Sequence, residues 1–359
     1  MTTSRPRPVE KVVNKARQSR PTGNAATIRD VAKAAGVSVA TVSRVLNGNS
    51  TVADGLRADV ERVSTALGYT PHAAARALAT QRSMTIGAIV PTLQESNFST
   101  GINVLQQRLN KAGYTLLLAS SNYDQAEELQ QVRALAAHGV AGILLVGARH
   151  APGVYEILST KRIPFVNTWV LDEVHPCVGF DNHEIGETLA NFLLDLGHRR
   201  FGVIAQESPQ SDRAAKRVAG IHEALTARGV PPAQQQLIER SHTIVDGQLA
   251  FQALMETSPR PTAVICGTDT LAFGAIVQAA SMGIRVPDDV SITGINDVEF
   301  AAHLSPSLTT IRLSADEIGQ RAADYLLGRI EGRSVVAKTR VAFSLIVRGS
   351  TAKVSRKKR

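Results

Sequence analysis

Residues 27–49, TIRDVAKAAGVSVATVSRVLNGN, decide how this chain is read. At helical spacing, Ile28, Val31, Ala32 and Ala35 place small and branched apolar groups on one stripe. Thr27 can cap that helix, its hydroxyl accepting from an unpaired backbone N–H of the first turn. Gly36 supplies a left-handed turn residue, and Val37 packs inward. Ser38 then caps a second helix in which Val42 and Val45 or Leu46 face the first, and Asn47-Gly48 ends it. Two short helices joined by a tight glycine turn form a helix-turn-helix. The second helix leaves Val39, Ala40, Ser43 and Arg44 outward, where base edges would lie in a DNA major groove. Spacing alone fits an ordinary helical hairpin equally well.

What surrounds the stretch separates the two readings. Net charge is +9 over 359 residues, and it is unevenly placed. Residues 1–26 carry +5, residues 27–83 carry +3 and the tail from Lys353 carries +5, which leaves residues 84–352 at −4. A basic amino-terminal quarter on an acidic body is a nucleic-acid footprint confined to one end. The residues themselves also carry a family pattern. Asp30-Val31-Ala32, Ala35-Gly36-Val37-Ser38 and Thr41-Val42-Ser43-Arg44-Val45-Leu46-Asn47 resemble the headpiece signature of the lactose-repressor (LacI) family, and the resemblance runs to about Arg348.

Outward from this stretch, residues 1–26 lack apolar periodicity and read as a disordered basic arm. The family headpiece normally begins near the start of the chain. The arm could therefore add phosphate contacts, do nothing, or reflect a misplaced start codon. Gly55 to Leu67 forms a third amphipathic helix with Leu56, Val60, Val63 and Leu67 inward; Gly68 ends it and Tyr69 is placed to meet a phosphate. The headpiece thus spans 27–70, and 71–83 is a hinge helix or linker. PHAAARALAT, from Pro71, is too short to persist alone as a helix in water. In the resembling family this segment folds in the minor groove and a leucine wedges a base step, here Leu78. The expected DNA-contacting set is Thr27, Ser38, Val39, Ala40, Thr41, Ser43, Arg44, Asn47, Tyr69 and Leu78.

From Met84 the hydrophobic period changes. MTIGAIVP, YTLLLAS, AGILLVG, PFVNTW and CVGFDN are short apolar runs, with helical patterns at Asn97–Ala112 and Asp124–His138. RFGVIAQ, QLIERS, TAVICGT and VSITGIND follow, separated by helices at Asp212–Arg228, Asp246–Glu256 and Thr270–Met282. Strands alternating with helices predict parallel sheets covered on both faces. The fold class is α/β: an all-α headpiece followed by two doubly wound subdomains over 84–350. The resemblance implies a periplasmic-binding-protein-like core. Its first subdomain would hold about 84–182 and 312–344, its second about 183–311 and 345–350, with 351–359 a basic tail. LTTIRL and TRVAFSLIV are the late segments, and crossings are implied near Asp181–His183, Leu308–Leu313 and Leu345.

Ligands of parallel sheets sit beyond the carboxyl ends of the strands. Those ends here concentrate hydroxyls, amides, carboxylates and arginine, which suits a sugar or sugar acid. With the resemblance, the effector set is Phe98, Trp169, Asp181, Arg213, Arg217, His242, Thr268, Asn296 and Asp297. Asn296-Asp297 departs from the commoner Asp-Asp or Asp-Asn, so the hydroxyl pattern it reads stays open. The segment HPCVGFDN to HRRFGVIA, with Tyr123–Glu128, most resembles the gluconate-repressor branch.

Composition bounds the alternatives. Aromatics are only 4%, so aliphatics and alanine build the core; no run is long enough for a membrane span, and no apolar run follows the early basic residues as in a secretory signal. Cys177 and Cys266 lie in strand-like contexts and read as buried thiols, too few for a metal cage. No catalytic motif stands in its required context, and the nine histidines are scattered. The expected molecule is a cytoplasmic, non-enzymatic repressor without cofactor or metal. It would act on double-stranded operator DNA as a homodimer, or as a tetramer, under control of a small effector. Two other readings stay open: a carbon-control regulator using a phosphorylated carrier protein as corepressor, and a solute-binding or enzymatic α/β protein with an incidental headpiece.

Overall fold

The structure, a computed structural model, describes residues 26–46, 52–70, 83–207 and 211–354. The chain divides into two compact units, Met1–Met84 and Thr85–Arg359. The first holds α1 (Ile28–Ala35), α2 (Val39–Leu46) and α3 (Asp54–Leu67). Thr27 and Asp30 form a reciprocal cap at the start of α1, the Asp30 carboxylate accepting from Thr27 N–H at 2.9 Å. Gly36, at φ 69°, turns the chain between α1 and α2, and the Ser38 hydroxyl accepts from Thr41 N–H at 3.0 Å. Val31, Ala32, Val42, Val45, Val60, Val63 and Leu67 pack as the core of this unit. The third helix starts one residue earlier than its apolar pattern, at Asp54, with Leu56 only partly buried.

The second unit contains two six-stranded sheets. Lobe 1 is built on β1 (Thr85–Val90), β2 (Thr115–Ser120), β3 (Gly142–Val146), β4 (Phe165–Thr168) and β5 (Cys177–Gly179). Its helices there are α4 (Ser96–Lys111), α5 (Gln125–Ala137) and α6 (Pro152–Thr160). Lobe 2 follows with α7 (Asn182–Asp195), β6 (Phe201–Gln206), α8 (Asp212–Ala227), β7 (Gln235–Arg240), α9 (Ile244–Glu256), β8 (Ala263–Cys266), α10 (Asp269–Ser281), β9 (Ser291–Asn296) and β10 (Thr309–Leu313). The chain then returns through α11 (Ala315–Ile330) to β11 (Lys338–Arg340) and finally to β12 (Phe343–Ile346). Strand orders are β11-β5-β4-β3-β1-β2 and β12-β10-β9-β8-β6-β7. Every pairing is parallel except β12 with β10. Central strands such as GILLV and AVIC are buried at every position, as expected where helices cover both faces.

Three details differ from the sequence pattern. The helices α7 and α11 are not singled out by it, although each buries an apolar stripe, Ile185, Leu189 and Leu193 in the first case. TRVAFSLIV reads as one segment but is two strands in two sheets. Arg340 pairs with Gly179 in lobe 1 and Phe343 with Leu313 in lobe 2, so the last crossing lies at 341–342 rather than near Leu345. For the same reason Arg312 and Leu313 belong to the lobe 2 sheet, and the return crossing begins at Ser314.

Helix pairs in both lobes approach through glycine. A Cβ on Gly319 of α11 would lie 2.1 Å from the Gly101 carbonyl of α4. In lobe 2, one on Gly220 of α8 would lie 2.0 Å from the His183 carbonyl, and one on Gly186 of α7 would lie 2.1 Å from the Arg217 carbonyl. No other side chain permits backbones this close. Cys177 and Cys266 are buried and unbridged. Among the described residues, no helix is long and apolar enough to cross a membrane, and no group of three or more His, Cys, Asp or Glu side chains could hold a metal.

Candidate functional site

In the first unit, the outer face of α2 is the chemically distinctive surface. Val39 is 42% exposed, Ala40 and Arg44 are exposed, and Ser43 is partly buried. The Thr41 hydroxyl lies 2.9 Å from that of Ser38, so both hydroxyls help start the helix. Tyr69 packs against the core of the unit, its N–H donating to Ser64 O at 2.9 Å. Asn47, Leu78 and the hinge stretch 71–82 lie outside the described residues.

In the second unit, the carboxyl ends of the two sheets face each other across a cleft of about 580 Å³, its mouth included. Lobe 1 contributes Glu95, Asn97, Phe98, Tyr123 and Trp169; lobe 2 contributes Gln206, Ser211, Arg213, Arg217, Thr268 and Asn296. Trp169, at φ 59°, is 1% exposed and meets the Phe98 ring edge-on, with centroids 5.1 Å apart. It lies over Gly101, where a Cβ would come within 2.7 Å of the indole. The indole N–H has no hydrogen-bond partner among the described residues. On the other side the Arg213 guanidinium sits 5.7 Å from the Phe98 centroid, a cation over an aromatic face.

Arg217 is held by two neutral acceptors. Its Nε donates to Asn182 Oδ1 at 2.8 Å and its Nη1 to Gly267 O at 3.1 Å. The close α7–α8 packing over Gly186 sets this geometry, because Asn182 and Gly186 share a face one turn apart. No carboxylate forms an ion pair with Arg217 among the described residues. Burial first, and the neighbouring Arg213 second, push its pKa down to about 10, which leaves it charged at neutral pH.

Asp212 ties the two lobes together. Its Oδ2 accepts from Ala148 N–H of lobe 1 at 2.6 Å, and its Oδ1 accepts from Arg213 at 3.1 Å. Burial raises its pKa, but Arg213 and the backbone donors outweigh that and hold the carboxyl below its usual range. Gly147 (φ 92°) makes the approach possible, since a Cβ there would lie 2.7 Å from Arg213 Nη1. Close by, Tyr123 donates to Glu95 at 2.5 Å, and burial, reinforced by Glu95, pushes the phenol pKa up.

The cleft gathers Phe98, Trp169, Arg213, Arg217, Thr268 and Asn296 from the expected set, Thr268 also capping α10 through Leu271 N–H. Three expected residues sit elsewhere. The Asp181 carboxylate folds back as the cap of α7, accepting from His183 and Glu184 N–H, and the buried Asn182 beside it accepts from Arg217 instead. Asp297 is held in ion pairs with Arg312 and Arg348, each at 2.7 Å, away from the lining. His242 stands behind Tyr123, ring centroids 5.7 Å apart. Sequence reasoning did not assign Asn182, Tyr123 or Asp212. Asn122 and Tyr123 adopt φ of 50° and 62° without glycine, so nothing in the pattern marks that turn.

Residues 27–72 match the model for bacterial regulatory proteins of the lacI family, and residues 190–351 match that for the periplasmic binding protein-like domain. The chain is 34% identical over 309 residues to the ribose operon repressor of Haemophilus influenzae, covering 85% of this chain and 92% of that one. It is 32% identical over 329 residues to the transcriptional regulator GntR of Pseudomonas aeruginosa, covering 90% and 95% respectively. Repressors called PurR and CytR lie at similar identity. The lac repressor dimer bound to operator and the anti-inducer ONPF superimposes with a TM-score of 0.83 at 26% identity, over 92% of this chain and all of that one. With a helix-turn-helix unit and a two-lobed core of this geometry, the chain belongs to the LacI family of bacterial DNA-binding transcriptional repressors.

Proposed function

We propose that this repressor binds its operator as a homodimer and that a small sugar acid, of which gluconate is the simplest candidate, enters the interlobe cleft and sets DNA affinity. The observation that carries the reading is Arg217, a half-buried cation in the cleft whose hydrogen bonds go to neutral acceptors and which no carboxylate pairs with directly among the described residues. Its carboxylate neighbours, Glu95 and Asp212, act only from longer range, so a ligand carboxylate would gain a direct bidentate pair with a partly desolvated cation. Trp169 offers an indole N–H and an apolar wall, while Asn97, Gln206, Thr268 and Asn296 supply acceptors and donors for hydroxyls. An effector in the cleft, rather than a phosphorylated carrier protein on the flank, is what this arrangement supports. Such a repressor works beside the chromosome, hence in the cytoplasm.

Dimerisation has its own support in lobe 2. Val245 and Leu249, one helical turn apart on α9, are 59% and 53% exposed. Val277 of α10 and Phe300, which packs on Phe273 at 5.5 Å, extend the apolar surface. Exposed apolar patches of this kind mark association surfaces.

Thermal denaturation with gluconate, glucose and ribose tests the effector class. A ligand at 100 times its dissociation constant adds about 2.7 kcal/mol to the native state. Stabilisation by the acid and not by the neutral sugars is expected. Stabilisation by a neutral sugar alone would remove the sugar-acid assignment.

A further inference from the structure

We infer that the amino-terminal end of lobe 1 is a second DNA-contacting surface, one that meets backbone phosphates beside the bases read by the helix-turn-helix. The inference rests on the operator-binding reading above. All strands of the lobe 1 sheet are parallel, so the connections that precede them all emerge at one end. Those connections carry Lys111, Lys161, Arg162, Arg329, Arg333 and Lys338, all exposed, against Glu173 and Glu331. This basic end belongs to a stretch, residues 84–352, whose net charge is −4. The cations are therefore concentrated rather than spread.

Lobe 2 supplies the internal control. It has the same architecture, and its helix ends also carry cations, which is the ordinary preference of a helix carboxyl terminus. There, however, most are engaged, Arg260 and Lys353 being the ones without an ion-pair partner among the described residues. Arg228 pairs with Asp195 at 2.9 Å, Arg285 with Asp288 and Asp289 at 3.1 and 2.9 Å, and Arg199 and Arg200 donate to backbone carbonyls. In lobe 1, Arg333 pairs with Glu331 and Lys338 donates to Glu173 O. Lys111, Lys161, Arg162 and Arg329 have no ion-pair partner among the described residues. Helix-end preference accounts for cations at both ends but not for the larger number, four, left without a partner at the lobe 1 end.

The chain arriving from the helix-turn-helix unit enters lobe 1 at Thr85, the amino end of β1, and so at this same end. A duplex presents one phosphate charge per ~1.7 Å of axis, a density that scattered surface carboxylates do not match. DNA is therefore the partner that the cluster fits better than an acidic protein. Such cations meet phosphates, so they add affinity and salt dependence without adding base preference.

Binding of the full-length chain to a mixed-sequence duplex of about 40 base pairs, followed by fluorescence anisotropy over a range of salt, tests this. Each phosphate that the protein ceases to neutralise should flatten the slope of log K against log salt by ~0.9. The variants are Lys161→Gln/Arg162→Gln, Arg329→Gln, and the charge-matched control Arg200→Gln/Arg260→Gln at the equivalent end of lobe 2. The lobe 1 variants should weaken binding and flatten the slope, the double substitution by ~1.8 per protomer and the single one by ~0.9. The control should stay near wild type, and all should melt like wild type because the side chains are exposed. Equal behaviour of lobe 1 and control variants, or no change in either, overturns the inference and leaves the cluster to an acidic protein. Absence of DNA binding by the wild-type chain would instead defeat the operator-binding reading itself.

Discussion

The two lobes share one topology and divide the work of the cleft unequally. Lobe 1 presents aromatic walls, Phe98, Tyr123 and Trp169, together with the backbone N–H of Ala148. Lobe 2 presents both arginines, Arg213 and Arg217, with Asp212 on the same helix, while the one carboxylate of the lobe 1 lining, Glu95, is taken up by Tyr123. Both lobes bring helices together through glycine, so that part belongs to the architecture. What differs lies at strand ends, where side chains do not determine the sheet. A parallel sheet needs buried aliphatics at its centre and leaves its ends free to specialise. A ligand that touches both the aromatic wall and the guanidiniums would bridge the lobes, and it would couple to DNA only by binding one closure state better than another.

The largest expected effect tests what the lobes share. Gly220→Ala in lobe 2 and Gly319→Ala in lobe 1 each push a methyl into a carbonyl of the partner helix. Overpacking against side chains typically costs ~1–3 kcal/mol, and against backbone it should exceed about 3 kcal/mol. Urea unfolding measures it. A cost below about 1 kcal/mol in either lobe would show that the helices part easily there and that the likeness is superficial.

Asp269 distinguishes lobe 2. It is fully buried, accepts from Thr310 Oγ1 at 2.5 Å and Val298 N–H at 2.9 Å, and burial pushes its pKa up to about 6 from an ordinary 3.8. A carboxyl raised in the folded state favours the native fold most when protonated, below about pH 4. That contribution is lost as pH rises through 6. Asp269→Asn should therefore gain on wild type between pH 4 and 6, by on the order of 2–3 kcal/mol, and stay level above. A pH-independent difference between the two chains would refute the assignment.

Arg217→Ala addresses the division of labour directly. Operator affinity should survive while the response to effector, expected at ~5–150-fold, disappears. A variant that still binds effector and responds like wild type would move the ligand site away from lobe 2's arginine. The smallest effect belongs to Asp212→Asn, which keeps an acceptor for Ala148 N–H but removes the charge from beside Arg213. Loss of charge assistance on such a bond is worth ~1 kcal/mol. Trp169 is the only tryptophan of the chain, so its emission reports on the cleft. Unchanged emission and unchanged effector affinity would mean that Asp212 does not hold the lobes.

Much of this molecule is legible locally. Capping at Thr27, the turn at Gly36, the apolar stripe of α3 and the alternation of buried strands with helices are short-range preferences, and a single sequence displays them. Arg213 and Arg217 enter the expected set through the family resemblance, and the structure places both on the helix that follows β6. The tertiary structure alone decides the rest. Asp181 and Asn182 are neighbours of similar chemistry, and only the first turn of α7 settles that one caps the helix while the other faces Arg217. TRVAFSLIV looks like one strand until pairing partners from two sheets divide it. The glycines of the helix crossings resemble any others in the sequence, since their necessity comes from a carbonyl brought near by a distant part of the chain. Local preference fixes which elements form; long-range packing fixes which atoms of those elements meet, and that meeting is what makes the cleft.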